Sequence, residues 1–143
     1  MSREASYVAL FGLLQGLQTA GTVVTCDRKL QALDKMNEAD LPAVFMTVTD
    51  QLIVDQQGMP AKRTLGAFVY VYVSYLDPDT SAGTVLNNLI DAVDLAIDPS
   101  QGNFPQTLGG LVERAWIEGK IEIFEGVLGT RAAAVVPIHM LVP

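Results

Sequence analysis

The first segment of the chain has the hydrophobic spacing of an amphipathic helix. Ser2 is placed to cap its first turn. Its leucines recur three and four residues apart, at Leu10, Leu13, Leu14 and Leu17. The β-branched run 22–26 follows and is typical of a short strand. The pattern therefore predicts a helix over residues 2–18 and then a strand.

Two further strand patterns occupy the middle of the chain, over residues 43–49 and 64–76. The turn-rich segment 51–62 lies between them, and the charged segment 27–41 before them fits a helical turn or an irregular connection. Residues 64–76 alternate in character. One side is aliphatic, with Leu65, Ala67, Val69, Val71 and Val73, and the other carries Phe68, Tyr70, Tyr72 and Ser74. We expect the aliphatic side to pack beneath helices, and the other to face water or another subunit.

A second amphipathic helix is predicted over residues 81–98. Its apolar stripe consists of Leu86, Leu89, Ile90, Val93 and Ile97. Asn87, Asp91, Asp94 and Asp98 line the opposite side. A divalent cation site at these aspartates is weakly supported, since no glycine-bearing loop of alternating acids accompanies them.

The C-terminal third has three apolar runs, which Gly119 and the pair Gly126 and Gly129 separate. This is the pattern of a β-meander. Pro137 cannot donate a backbone hydrogen bond, so its strand is expected to lie at a sheet edge or to carry a bulge. An edge strand is a place where a neighbouring subunit can add on.

The order of elements predicts a single α+β domain over residues 1–143. Two main helices are expected to pack on one face of a mixed, largely antiparallel sheet with a C-terminal β-meander. The predicted core includes Leu14, Val71, Leu86, Leu89 and Val93. Two helices are too few to cover both faces of such a sheet. Aromatic residues on the strands favour burial of the second face between subunits, and they are Phe68, Tyr70, Tyr72, Trp116 and Phe124.

Composition narrows the class of function. Only 17% of the 143 residues are charged and 50% are hydrophobic, which suggests an exterior partly hidden in subunit contacts. The net charge of −7 argues against binding to nucleic acid through its phosphates.

The uncharged stretch from Ala5 to Cys26 is a weak candidate for a membrane span or a signal peptide. Polar residues and glycine interrupt it, and no cleavage site of the usual kind follows. We therefore expect a soluble intracellular protein without a membrane partner. Cys26 is the only cysteine, which rules out an internal disulfide and fits a reducing compartment.

No residue pattern predicts catalysis, a cofactor or a metal. Glu113, Glu118, Glu122 and Glu125 lie on or beside the predicted meander, and a carboxylate pair there leaves a small hydrolase as an alternative. The sole histidine, His139, has no assignable nucleophile or orienting carboxylate and is interpreted as structural. Gly109 and Gly110 lack the spacing of a phosphate-binding loop.

Four segments resemble the tail terminator proteins of long-tailed bacteriophages. They are residues 107–113 (TLGGLVE), 116–122 (WIEGKIE), 126–129 (GVLG) and 134–138 (AVVPI). Residues 41–45 (LPAVF) and the first helix followed by Val23 and Val24 are similar too. The segment 27–41 departs from the family pattern, in which an aromatic residue is expected near Leu33.

This resemblance implies a structural virion protein and not an enzyme. The expected assembly is a hexameric ring that caps the tail tube, stops its elongation and joins the tail to the head. The implied partners are other copies of the chain, the tail tube protein and a head or neck connector protein. The implied location is the head-proximal end of the virion tail, after assembly in the bacterial host cytoplasm. The alternative function is that of another phage neck connector or adaptor protein.

Two sets of residues are candidates for the surfaces of such a ring. The segment 51–62 is expected to be an extended loop or hairpin arm that contacts a neighbouring subunit or the tail. The subunit and tail interface candidates are Leu52, Ile53, Val54, Met59, Phe68, Tyr70, Tyr72, Pro137 and His139. The acids expected to line a lumen, through which DNA passes without specific binding, are Asp91, Asp94, Asp98, Glu118 and Glu122.

Overall fold

The chain folds into two helices and a six-stranded mixed sheet, which confirms the predicted α+β class. The computed structural model describes residues 2–75 and 81–142, except for the side chains of residues 126–128. The helices are α1 (Arg3–Thr19) and α2 (Ala82–Ile97). The strands are β1 (Thr25–Asp27), β2 (Ala43–Val54), β3 (Lys62–Ser74), β4 (Arg114–Ile117), β5 (Glu122–Leu128) and β6 (Arg131–Val142). Leu76, the last residue of the strand predicted over residues 64–76, lies outside the described residues.

The strand order is β1-β2-β3-β6-β4, and β5 also pairs with β6. Only β1 and β2 are parallel, while the four other pairings are antiparallel. The long ladder between β3 and β6 runs from Arg63 opposite Val142 to Ser74 opposite Arg131. These two strands form the centre of the sheet.

The helices cover one face of the sheet. Each helix begins at a serine whose hydroxyl accepts a backbone N–H bond, Ser2 from Ala5 and Ser81 from Thr84. The predicted core residues are all buried here, namely Leu14, Val71, Leu86, Leu89 and Val93. Ile90, assigned to the same stripe, is only half-buried.

Three C-terminal strands are present, but their pairing differs from a simple meander. β4 pairs with the C-terminal half of β6 and β5 with its N-terminal half, so both lie along the same side of β6. The expectation that the Pro137 strand lies at an edge or carries a bulge is wrong, because β6 lies between β3 and the β4/β5 pair and its register with β3 is continuous through Pro137. Proline is tolerated there because Pro137 lies between the part of β6 that pairs with β4 and the part that pairs with β5. Gly119 passes over it, and a Cβ on Gly119 would lie 3.3 Å from Pro137 Cγ.

A β-bulge divides β2. Thr49 and Asp50 together lie opposite the single residue Gly66 of β3. A Cβ on Gly66 would lie 2.3 Å from Thr49 Oγ1 and 2.8 Å from the Asp50 carbonyl oxygen, so the bulge requires glycine. The Tyr7 hydroxyl donates a 2.7 Å hydrogen bond to the Gly66 carbonyl and ties α1 to this point. Beyond the bulge, β2 and β3 stay paired out to Val54 opposite Lys62. Residues 54–62, which extend past the last β3–β6 pair at Arg63 and Val142, are here called the arm.

Residues 28–42, here called the strap, cross one end of the sheet face opposite the helices. The strap contains two short 3₁₀ turns, Leu33–Lys35 and Glu38–Asp40. Its apolar side chains form a second, smaller hydrophobic cluster with the sheet, consisting of Leu33, Met36, Leu41, Ala43, Phe45, Tyr72 and Ala133. The Arg131 guanidinium binds Glu38 and donates a 2.5 Å hydrogen bond to the Leu33 carbonyl. The strap is therefore fastened to β6 by polar contacts as well as by apolar packing.

Candidate interaction surface

The sheet face opposite the helices is covered only at the end where the strap lies. Beyond the strap, apolar and aromatic side chains remain at least partly exposed. They are Leu52, Phe68, Tyr70, Trp116, Phe124, Val135, Pro137 and His139, here called the open face. Phe68 and Phe124 keep 38% and 41% of their surface exposed although both lie on strands. Contiguous exposure of this kind is typical of a surface that binds a partner.

The strand register explains why these residues share a face. Phe68 lies opposite Pro137, and Tyr70 lies opposite Val135. Directly opposed residues in an antiparallel pair project to the same side of the sheet. The structure therefore brings together five of the predicted interface candidates, which are Leu52, Phe68, Tyr70, Pro137 and His139.

The Trp116 indole is held in place by three neighbours. Its ring lies 5.7 Å from the imidazole of His139, at an angle of 33°. The Arg114 guanidinium carbon lies 5.0 Å from the indole centroid, a cation–π contact. The indole N–H donates to a Glu118 carboxylate oxygen at 2.8 Å. A rigid aromatic side chain of this kind loses little conformational entropy when a partner covers it.

His139 contacts a ring and a backbone group. Besides stacking on Trp116, its Nε2 lies 3.1 Å from the backbone oxygen of Glu118. These contacts fix the imidazole between β4 and β6 and support the structural interpretation of this residue.

The open face is concave. One cavity of about 640 Å³ is lined by Phe68, Tyr70, Phe124, Pro137 and the segment that joins β4 to β5. A second cavity of about 690 Å³ lies toward the arm, where Leu52 and Trp116 form part of its wall. The two cavities share Phe68, Glu118 and His139, so they form one continuous depression, here called the trough.

Tyr72 does not belong to the open face, and its prediction as an interface residue is corrected. It is only 6% exposed, because the strap packs over it within the same chain. Its hydroxyl donates a 2.9 Å hydrogen bond to the Gln31 carbonyl, and its ring lies 5.5 Å from that of Phe45. Burial raises the pKa of the Tyr72 hydroxyl, and the neighbouring Tyr70 adds to the rise.

The segment 51–62 contains the last residues of β2 and the arm, and it forms an antiparallel hairpin between the ends of β2 and β3. Its pairing runs from Gln51 opposite Leu65 to Val54 opposite Lys62. The hairpin shape is confirmed, and contact with a partner stays a prediction. Its four apolar candidates, Leu52, Ile53, Val54 and Met59, are between 49% and 63% exposed. The base of the arm is held by an Arg3–Gln51 hydrogen bond of 2.7 Å and a Lys62–Glu113 ion pair.

The predicted lumen acids are divided between two surfaces. Asp91 and Asp94 are exposed on α2, which packs on the opposite side of the sheet from the trough. Asp98 is half-buried at the end of α2 and accepts a hydrogen bond from the Ser100 hydroxyl. Glu118 and Glu122 line the trough. The structure thus offers two separate acidic surfaces instead of one.

Two features of this surface were not predicted from the sequence. Val135 lies in the trough, and the alternation of β6 carried the signal, since Val135 shares its parity with Pro137 and His139. The strap was missed as a cover. The three-residue spacing of Leu30, Leu33 and Met36 indicated an apolar side but not the surface that it packs on.

The described parts of the chain, residues 2–75 and 81–142, contain no cluster of three or more histidine, cysteine or acidic side chains arranged to hold a metal ion. Within the same residues, no helix has the length and apolar character needed to cross a membrane. A comparison with models of known protein families found no match, and neither did a comparison with curated protein sequences.

Proposed function

We propose that this chain is the tail terminator of a long-tailed bacteriophage. In this proposal six copies form a ring that caps the tail tube, stops its elongation and joins the tail to the head. The observation that carries the proposal is the pair of unlike exposed surfaces on one domain, the arm and the open face. A closed cyclic ring repeats one heterologous contact, so each subunit needs two different surfaces that fit each other.

The segments that carry the family resemblance adjoin the open face. Residues 107–113 lead into β4, residues 116–122 join β4 to β5, and residues 134–138 lie on the neighbouring β6. The second and fourth of these four segments contribute Trp116, Glu118, Val135 and Pro137 to the trough. Their position next to the proposed contact surface supports a role in assembly.

The charge of the chain suits a channel for DNA. Each copy carries a net charge of −7, and α2 contains no lysine or arginine. A lumen lined by acids repels phosphates, so DNA slides through it instead of binding. Glu118 and Glu122 lie near Arg114 and Lys120, whereas Asp91 and Asp94 have no basic neighbour on their helix. Both acidic groups stay candidates for the lumen.

The proposed partners and location follow from this role. One side of the ring would contact the tail tube protein and the other a head or neck connector protein. The ring would lie at the head-proximal end of the virion tail, after assembly in the cytoplasm of the bacterial host. The proposal requires no cofactor and no catalytic residue.

A hydrolase that uses the trough acids is the weaker of the alternative functions. The Glu118 carboxylate already accepts the indole N–H of Trp116 at 2.8 Å, and its backbone oxygen lies 3.1 Å from His139. A carboxylate held in this way is suited to fixing the aromatic wall of the trough. A neck connector or adaptor protein with the same architecture is the closer alternative.

Deletion of the gene from a phage that encodes this chain tests the proposal. We expect headless tails of uncontrolled length, and we expect purified protein to cap tubes that are still growing. Tails of normal length joined to heads would overturn the proposal. Tails of normal length without heads would instead favour a connector or adaptor.

Complementation of the deletion adds a matched control. Phe68→Ser on the open face should fail to restore tail length. Val8→Ser replaces an apolar residue that is 55% exposed on the helix side, and it should restore tail length. Equal behaviour of the two variants would contradict a role for the open face.

A further inference from the structure

We propose that residues 51–54 of β2 in one copy pair antiparallel with residues 122–125 of β5 in the next copy around the ring. This inference rests on the proposed ring and specifies its subunit contact. Residues 51–54 lead into the arm, and β5 carries Phe124 of the open face. The pairing therefore joins the two surfaces that the proposed ring uses, through the edges of one continuous sheet.

The sheet has an unpaired edge on each of its two borders. At one border β1 covers β2 only from Ala43 to Phe45, and no strand within the described residues lies beside the rest of β2. At the other border β4 is partly covered, because the Ala115 N–H donates a 2.8 Å hydrogen bond to the Gln106 carbonyl. β5 pairs with β6 alone among the described strands. Backbone groups on such free edges can pair with a strand of another chain.

Both edges carry exposed apolar side chains on both faces of the sheet. Ile53 and Ile123 project to the helix side, and Leu52 and Phe124 project to the open face. These four side chains are between 41% and 62% exposed. A partner stacked on one face would leave the apolar side chains of the other face in water. A strand added at the edge covers both faces, because its own side chains alternate between them.

The directions of the strands favour a second copy of the chain as the partner. Within one sheet β2 and β6 are parallel, and β5 is antiparallel to β6, so β2 and β5 run in opposite directions. Copies related by rotation about a common axis keep the same strand direction relative to that axis and the same helix side. β5 of one copy therefore meets β2 of the next as an antiparallel pair, with all the helices on one side of the sheet.

One antiparallel register matches the side chains of the two edges. With Ile53 opposite Ile123, Leu52 lies opposite Phe124, so apolar pairs form on both faces. Ile53 lies level with the C-terminal end of β6 in its own copy, whereas Ile123 lies level with the N-terminal half of β6. Neighbouring copies are therefore offset along the strands. Closed sheets have such an offset, and their strands tilt by about 35–45°.

The charges along the two edges favour the same register. It places Glu125 opposite Gln51, to which the exposed Arg3 donates a 2.7 Å hydrogen bond, so an acid of one copy approaches a base of the next. The Glu125 carboxylate is held on the helix side, because it also accepts a backbone N–H of α2. Asp50 lies in the bulge, outside the paired residues, and Glu122 lies opposite an apolar residue. No two acids of the paired segments therefore lie opposite each other.

A mixing experiment with lysine variants tests the inference. Ile53→Lys and Ile123→Lys each place a charge on one edge, a device by which natural edge strands avoid pairing. In native mass spectrometry, each full-length variant alone should need an about tenfold higher concentration for half-assembly than the wild type. An equimolar mixture should form dimers with one copy of each variant and stop there, because each variant keeps one intact edge.

Disulfide cross-linking tests the register. In a Cys26→Ala background, oxidation of the Ile53→Cys/Ile123→Cys chain should produce a ladder of covalent oligomers, since directly opposed residues have Cβ atoms about 4.5–5.5 Å apart. Either new cysteine alone should give no covalent dimer, because identical positions do not meet in a heterologous contact. A covalent dimer from a chain with one new cysteine would show pairing of like edges and would contradict the inference.

Val8 provides matched controls, because it is 55% exposed but lies on α1. Val8→Lys should leave assembly within about threefold of the wild type. Val8→Cys combined with Ile123→Cys should give no ladder. The two edge lysine variants should keep the circular dichroism spectrum and the urea midpoint of the monomeric wild type, since each replaces a side chain that is about half exposed.

The outcomes separate this inference from the proposed function. If the wild type forms rings but the lysine variants assemble normally, or their mixture forms no dimer, the edge pairing is wrong and the ring stands. If the wild type is monomeric at every concentration, the pairing is also wrong, while tail length in the deletion experiment still decides the proposed function. If the pairing holds but the deletion leaves normal tails joined to heads, the proposed function is wrong and the pairing stands.

Discussion

Both faces of the central strands carry apolar side chains, but their surroundings differ. On the helix side of β3, Leu65, Val69 and Val71 are completely buried beneath α1 and α2. On the other side Phe68 and Tyr70 lie in an open trough. The larger aromatic residues are therefore the less buried ones. Hydrophobic character alone does not distinguish a core from an interface, because coverage by other elements decides between them.

The strap sharpens this contrast within the open side itself. Tyr72 lies two residues after Tyr70 on the same side of β3 but is buried. The strap packs over Tyr72 and leaves Tyr70 at its border, where that ring is only partly buried. The same side of β3 thus changes from buried core at Tyr72 to exposed surface at Phe68.

The largest expected effect compares how much a side chain on each face contributes to the free energy of unfolding. Leu89→Ala removes a side chain that is 5% exposed beneath the helices and should lower the free energy of unfolding by about 2–5 kcal/mol. Phe68→Ala on the open face should cost less than about 1.5 kcal/mol, because its ring already has access to water. Urea denaturation of both variants at a concentration where the chain is monomeric measures the difference. Equal losses would contradict the contrast between the faces.

The second effect concerns the β-bulge in β2, beyond which the alternating side chains of this strand change faces. Gly66→Ala places a methyl group 2.8 Å from the Asp50 carbonyl oxygen and should cost about 1–3 kcal/mol. Gly12→Ala on α1 meets no atom within 4 Å and should instead add about 0.5–1 kcal/mol. Thermal unfolding of both variants provides the comparison. A neutral Gly66→Ala variant would show that the arm does not depend on this bulge.

A smaller effect tests the strap. Tyr72→Phe removes the hydrogen bond to the Gln31 carbonyl and should cost about 1 kcal/mol. Amide hydrogen exchange should accelerate in residues 28–42 more than in α2, because the strap is held by the smaller cluster. Tyr70→Phe is the matched control, since the Tyr70 hydroxyl makes no hydrogen bond within the described residues. Uniform acceleration across the chain would mean that the strap does not open separately.

The last effect is a change in thiol reactivity at the edge of the helix side. Burial, with a further contribution from the Asp27 carboxylate, raises the pKa of the Cys26 thiol from 9.0 to about 11. At pH 8 alkylation should therefore be about a hundredfold slower in the folded chain than in denaturant, since each pKa unit changes the thiolate fraction tenfold. The raised pKa means that its contribution to stability is present below pH 9 and is lost as the pH rises toward 11. Equal alkylation rates in the two states would contradict this burial.

Local patterns in the sequence determined much of the fold. The spacing of Leu10, Leu13, Leu14 and Leu17 predicted the buried side of α1, although Leu13 is only half-buried. The alternation of β3 separated Val69 from Phe68 correctly. These features follow from the periods of 3.6 and 2 residues, which place neighbouring positions on fixed sides of a helix or strand. The turn residues of segment 51–62 likewise predicted an interruption, which the structure forms as a hairpin.

Only the tertiary structure decided what covers each surface. Pro137 was expected at a sheet edge or a bulge, but β6 is internal, and it tolerates the proline because the break between β4 and β5 falls beside it. Tyr72 was expected at an interface, but the strap, distant in sequence, buries it. The acids expected to line a lumen were predicted as one group, but the sheet separates Asp91 from Glu122. A periodic pattern specifies the direction of a side chain, whereas its neighbours depend on long-range pairing, which no local pattern encodes.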